Sequence, residues 1–159
     1  MRKSFAALRE EWNYIRGLTR TFVRKINDEE LDKKLPRKNL DTIRKQCEEL
    51  IEVQACYLNA LETGKIEFDG YSDEKLPGTT GKKKLLARFE ELDSLLENKL
   101  SEVSENKTID WFGEKKTIFN HLMAMVSHES MHVGQIVAFC YSQGIDIPEE
   151  VTKIMALSG

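Results

Sequence analysis

The chain is poor in the features that mark out most protein classes. It has three cysteines in 159 residues, Cys47, Cys56 and Cys140, an odd number spread too widely for a disulfide framework. None has a second cysteine two to four residues away, so none suits a metal thiolate, and all three are expected to be reduced thiols in a core. Positive charge is not in surplus. With 24 basic and 27 acidic side chains, a formal net charge of -3 gives no pull toward phosphate backbones, which argues against nucleic acid as the main partner. No stretch approaches the roughly 20 uninterrupted apolar residues of a membrane span. The amino terminus runs into Arg9, Glu10 and Glu11 without the apolar block of a signal peptide. A soluble, cytoplasmic protein is expected. Its length supports one respectable core and is short for two ordinary domains, so residues 1–159 are taken as one domain. No strand, internal repeat or low-complexity tract stands out.

Helical periodicity, by contrast, is abundant. Phe5, Leu8, Trp12, Ile15, Thr19, Phe22 and Ile26 recur at spacings of three and four and paint one apolar seam along a first helix. Pro36 closes the segment beyond that helix. Asn39 or Asp41 can cap a second helix carrying Ile43, Cys47, Leu50, Tyr57 and Leu61, which should end near Thr63 because Gly64 suits a left-handed C-terminal residue. From Gly64 to Gly81 the chain is polar and broken by Gly70, Pro77 and Gly78, and reads as a crossover loop. A third helix is predicted from about Lys82 to Val103, with Leu85, Phe89, Leu92, Leu96 and Leu100 inward. Asn106 to Gly113 reads as a turn holding Trp111. A fourth helix, from about Lys115 to Gln143, is apolar on nearly every side, and Gly144 stops it. A short fifth helix starts at Asp146 and Pro148, with the proline at its first position. The expected fold is all-α. Four long helices form a bundle, and the long link between the second and third lets those two run parallel, an up-down-down-up arrangement.

On the fourth helix, His128-Glu129-Ser130-Met131-His132 puts two imidazoles about one turn apart on one face, close enough to grip one metal ion. Burying both without a shared partner would cost desolvation twice. His121 lies on the same stripe as His128 but roughly 10 Å along the axis, too far to share an ion, so it lines the pocket or is an ordinary helix residue. A third ligand must come from another helix. On the second, Glu48, Glu49 and Glu52 sit amid apolar neighbours, and Glu49 shares a face with Gln46, Val53 and Cys56. A half-buried carboxylate there needs a cation or hydrogen bonds, which makes Glu49 the candidate; the competing account is that all three glutamates form a solvated face.

The run from His121 through His128 and His132 to Ile136, with the tail from Gly144 to Pro148 and from Ala156 to Gly159, resembles the DinB-like family of bacterial four-helix-bundle metalloproteins. The resemblance extends through Thr42 to Gln46, Val53-Gln54, Tyr57-Leu58, Thr63-Gly64 and Thr79 to Gly81, and so covers nearly the whole chain. It implies a divalent metal held by one histidine of the second helix and two of the fourth. The latter two are His128 and His132; the former falls on Glu49, a departure that keeps a metal-competent residue. Two histidines and a carboxylate accept zinc, nickel, manganese or iron(II), with open positions for water or substrate. The resemblance further implies metal-dependent transfer chemistry using a low-molecular-weight thiol, or hydrolysis, on small molecules, and a homodimer formed through helix faces. The family's name suggests DNA damage and thus a stress response, although the acidic chain carries no nucleic-acid footprint. Glu129, Gln135 and Gln46 are expected around the ligands, because ligating imidazoles usually donate their other N–H to a carboxylate or amide. Arg16 and Arg20, with Arg9, form a basic stripe that offers a site for an acidic substrate, although a solvated helix face explains them more simply.

Two other functions fit parts of the pattern. The pentapeptide matches H-E-x-x-H, in which Glu129 would be the general base of a zinc peptidase. No further histidine follows His132, however, and no strand is foreseen to pair with an extended peptide. A non-catalytic helical interaction module, its metal structural or absent, is the broader alternative.

Overall fold

The computed structural model describes residues 3–68, 76–104 and 106–157. Four long helices dominate: α1 (Lys3–Lys25), α3 (Ile43–Thr63), α4 (Lys82–Glu102) and α5 (Ile118–Gln143). Two short ones, α2 (Asp28–Asp32) and α6 (Glu149–Ile154), follow α1 and α5. The strands β1 (Thr108–Trp111) and β2 (Glu114–Thr117) form an antiparallel hairpin before α5.

Side-chain pairings give the helix directions. Arg9 meets Glu97, Trp12 meets Asp93, and Lys82 meets the carbonyls of Arg24 and Ile26, so α1 and α4 are antiparallel. Glu48 meets Thr80, Gln54 meets Asp93 and Glu62 meets Lys99, so α3 and α4 run parallel. His121 reaches Tyr57 while His132 reaches Gln46, so α3 and α5 are antiparallel. The bundle is therefore up-down-down-up, as the long link before α4 implied. That link includes residues 69–75, which lie outside the described residues, as do residues 158 and 159 of the carboxyl-terminal motif.

The apolar stripes meet in one core. Trp12 and Phe22 of α1, Leu50 of α3, Phe89 of α4 and Phe139 of α5 are all at most 2 % exposed. Burying a side chain of this size contributes about 1.5–3 kcal/mol, and here every long helix supplies at least one. The glycine stops fall where expected. Gly64 and Gly144 follow α3 and α5 with left-handed backbones, φ 78° and 60°, and donate their N–H groups to Ala60 and Cys140.

Four details differ from expectation. The second long helix is capped by Thr42, whose hydroxyl accepts from Lys45 N, and not by Asn39 or Asp41. After α1, Asn27 and Glu30 form a reciprocal capping box that starts the additional helix α2. Pro148 is the N-terminal cap of α6 and lies just outside the helix. The Trp111 segment is a hairpin, and α5 begins at Ile118 because Lys115 to Thr117 belong to β2. Phe112 and Gly113 both have positive φ, 54° and 96°, as a two-residue hairpin turn demands. So short a ribbon needs tertiary support. It receives it from fully buried Ile109 and from Asp110, whose backbone bonds Gly64 and Ile66 just beyond α3.

Candidate metal centre

Local helix geometry brings the two histidines together. His128 and His132, one turn apart on α5, have ring centroids 4.7 Å apart. From α3, Glu49 completes the group: one donor atom from each of the three residues lies within 4.8 Å of the others. A cation bonded at about 2.0–2.2 Å to each donor would need pairs no wider than about 4.4 Å, close to the spacing of these donors.

The electrostatics favour a cation. Desolvation holds the His128 imidazole below the ordinary histidine value. Burial, then His128, then Arg37 push His132 down to about 4, so both rings are neutral at neutral pH with lone pairs available. Burial, followed by neighbouring Glu52, raises the Glu49 carboxyl above its usual range. Among the described residues no cation pairs with Glu49 and no hydrogen bond reaches His128. Gln46 is buried beside the pair, with Oε1 3.4 Å from His132 Nδ1 and a buried Nε2 that has no hydrogen-bond partner. Two neutral imidazoles and an unpaired carboxylate, converging from two helices, fit a divalent metal in kind, number and charge.

The neighbouring glutamates have other duties. Glu48 accepts from Thr80 N at 2.8 Å and Glu52 from Leu76 N at 2.7 Å, so both tie down the far end of the crossover. Arg44 assists, donating to Thr80 O and pairing with Asp28 and Asp32 of α2. The three glutamates are thus not one solvated face. Their division of labour is invisible in sequence, because the bond partners are backbone groups of a distant segment.

Two of the residues expected around the ligands, His121 and Glu129, are engaged elsewhere. His121 is fully buried, its Nδ1 accepting from Trp111 Nε1 and its Nε2 facing Tyr57 O, each at 2.9 Å. Both nitrogens are committed, so it is a core residue of the hairpin side. Glu129 points about 100° around α5 from His128 and buries its carboxylate against α1. There it accepts from the Thr19 hydroxyl and lies 3.2 Å from Arg16 Nη1. It therefore supports neither imidazole and is not positioned as a peptidase base beside them. Gln135 makes no hydrogen bond to either ring, and its buried Oε1 has no partner. Among the described residues, Gln46 is the member of the expected group with a contact to a ligand ring.

The basic stripe is also corrected. Arg16 is 2 % exposed, and its guanidinium sits 4.5 Å from the Trp12 ring centroid and 4.4 Å from that of Phe89. Nη2 donates to Gln54 Oε1. Nε and Nη1 face Asp93 and Glu129 as ion pairs at 3.3 and 3.2 Å, off the axis of a directed hydrogen bond. Arg20 is partly exposed and pairs with Glu90 and Asp93. Sequence reasoning missed this network because its members come from all four long helices. The cysteines met expectation: Cys47, Cys56 and Cys140 are buried thiols, and burial first pushes Cys47 and Cys140 up to about 12.

Comparison with known proteins agrees with the architecture. The chain overlays a DinB-like protein of Bacillus cereus with a TM-score of 0.72 at 19 % identity, covering 89 % of this chain and 93 % of that one. A DinB-like protein of Bacillus subtilis overlays with a TM-score of 0.66 at 16 % identity, covering 89 % and 95 %. At these identities the likeness concerns the fold. No curated protein sequence matches the chain. Among the described residues no helix is long and apolar enough to cross a membrane. The model of the DinB family matches residues 1–148, and the chain belongs to that family.

Proposed function

We propose that this protein is a divalent-metal-dependent enzyme acting on small molecules, a thiol-dependent transferase or hydrolase, with Glu49, His128 and His132 as its metal ligands. The observation that carries the reading is the convergence of these three donors within 4.8 Å. A bound divalent cation would supply Lewis acidity toward a water or a thiol co-substrate. The chain's own contribution is positioning. Gln46 Oε1 lies 3.4 Å from His132 Nδ1, and by accepting from an Nδ1–H it would leave Nε2 as the lone-pair nitrogen. Glu49 offsets part of a dication's charge, and three protein ligands leave positions for substrate.

Elemental analysis of the purified protein tests the site. The expected result is about one zinc, nickel, manganese or iron per chain, lost in His128→Ala, His132→Ala and Glu49→Ala. Metal content unchanged by all three replacements overturns the assignment. Chelator-sensitive consumption of a low-molecular-weight thiol with an electrophile then separates transfer from hydrolysis.

A further inference from the structure

Glu49 and His128 border a cleft of about 290 Å³ that also meets Val53, Cys56, Tyr57 and Phe68. Its chemistry differs from that of a second, larger cleft of about 600 Å³ on the other side of Glu49, where Asn39, Lys45, Glu48 and Glu52 stand. Among the described residues that line the small cleft there is no lysine or arginine. Of its carboxylates, Glu52 is engaged by Leu76 N and Glu49 belongs to the metal ligands. Among the described residues, the apolar groups that remain to contact a ligand are the Val53 side chain and the rings of Tyr57 and Phe68.

The rings are held in a fixed array. Tyr57, only 4 % exposed, packs edge-on against Phe68 with centroids 6.0 Å apart. Trp111 backs both, at 5.8 Å from Tyr57 and 6.4 Å from Phe68, and Phe112 stacks on Phe68 at 6.3 Å. Phe68 nevertheless keeps 42 % of its surface exposed. An exposed phenylalanine braced by three other rings at the edge of a cleft is a preformed apolar wall, which loses little freedom when a ligand arrives. The cleft lies near the small end of ligand-site volumes, so it admits one compact group.

We infer that the small cleft binds an uncharged aryl group of the substrate, seated against the wall that Tyr57 and Phe68 form while the polar end of the molecule reaches Glu49 and His128. This rests on the metal-dependent reading above and adds the substrate class.

The test uses zinc-loaded protein and two probes that differ only in the ring, acetohydroxamate and phenylacetohydroxamate. The aryl probe should bind roughly tenfold more tightly or better, as expected for burying a phenyl group. Phe68→Ala should erase that advantage and leave zinc content and acetohydroxamate affinity unchanged. Toluene added to metal-free protein should shift the NMR signals of Tyr57 and Phe68. Equal affinity of the two probes, or an aryl advantage that survives Phe68→Ala, overturns the inference with the metal site intact. A protein that takes up no zinc yet shows the toluene shifts overturns the metal reading and leaves the aryl cleft standing; absence of both removes both.

Discussion

The two ends of α5 treat the same residue type in opposite ways. At the hairpin end His121 is buried with both ring nitrogens engaged, one by Trp111 Nε1–H and one by the Tyr57 carbonyl. Two turns on, His128 is half-buried and His132 buried, but among the described residues no hydrogen bond or cation meets His128, and the hydrogen-bonding contact to His132 is a long one from Gln46. Burial lowers the proton affinity of all three rings. For His121 the Tyr57 hydrogen bond offsets part of that effect; at the other end His128 and Arg37 lower His132 further. A satisfied histidine holds a fold together, whereas an unsatisfied pair with a carboxylate opposite has a use for a ligand. Glu129 and Glu49 repeat the contrast, the first matched by Arg16 and Thr19, the second set beside the imidazoles and Glu52 with no ion pair among the described residues.

This contrast can be broken most forcefully on its satisfied side. Arg16→Ala strands the Glu129 carboxylate inside the protein, and urea unfolding should register a loss of about 3–5 kcal/mol. A loss below about 1 kcal/mol would mean that the network is ornamental. Next, His121→Ala removes two hydrogen bonds and two ring contacts, with Tyr57 and Trp111, in the core. It should destabilise by about 2–4 kcal/mol while metal content is unchanged, and a drop in bound metal would tie the two ends of α5 together.

The unsatisfied side should behave inversely. His128→Ala or Glu49→Gln should alter the stability of metal-free protein by less than about 1 kcal/mol, since among the described residues neither side chain has a hydrogen bond or ion pair to lose. Both should abolish the rise in Tm that added metal gives wild type, a rise worth about 2.7 kcal/mol at a hundredfold excess over Kd. A variant that still gains stability from metal would place the ligands elsewhere.

The smallest effect sharpens the comparison with a partnered group at the surface. The hydrogen bond from Arg44 holds the Asp32 carboxyl below its usual range. A depressed folded-state value means that the stabilisation is complete above the unfolded carboxylate value, about 3.9, and is lost as pH falls through the lower folded one. Because Asp32 is 54 % exposed, the pair is strongly screened. Asp32→Asn should therefore lower Tm slightly at pH 7, with the difference from wild type vanishing in acid, and a difference independent of pH would remove Asp32 from the account.

Much of the architecture was legible because it rests on local rules. The three- and four-residue spacing of Phe5 to Ile26 needed only the helical period, and Gly64 and Gly144 needed only the conformational freedom of glycine. The bare pattern hid the features that rely on partners distant in sequence. The hairpin escaped notice because its strands are four residues each and are steadied by Gly64 and Ile66. Arg16 looked like part of a solvated stripe because charge in a sequence carries no record of the carboxylates that will surround it.

The amino-acid order alone determined that the chain is helical, where its long helices stop, and that His128 and His132 share a face, since these follow from interactions within a few residues. Only the tertiary structure decided that Glu49 faces the pair while Glu48 and Glu52 hold the crossover, that Glu129 answers Arg16, and that His121 is satisfied. The reason is desolvation: a polar group's role is set by which partners remain within hydrogen-bond reach once water is gone, and packing of separate helices chooses those partners.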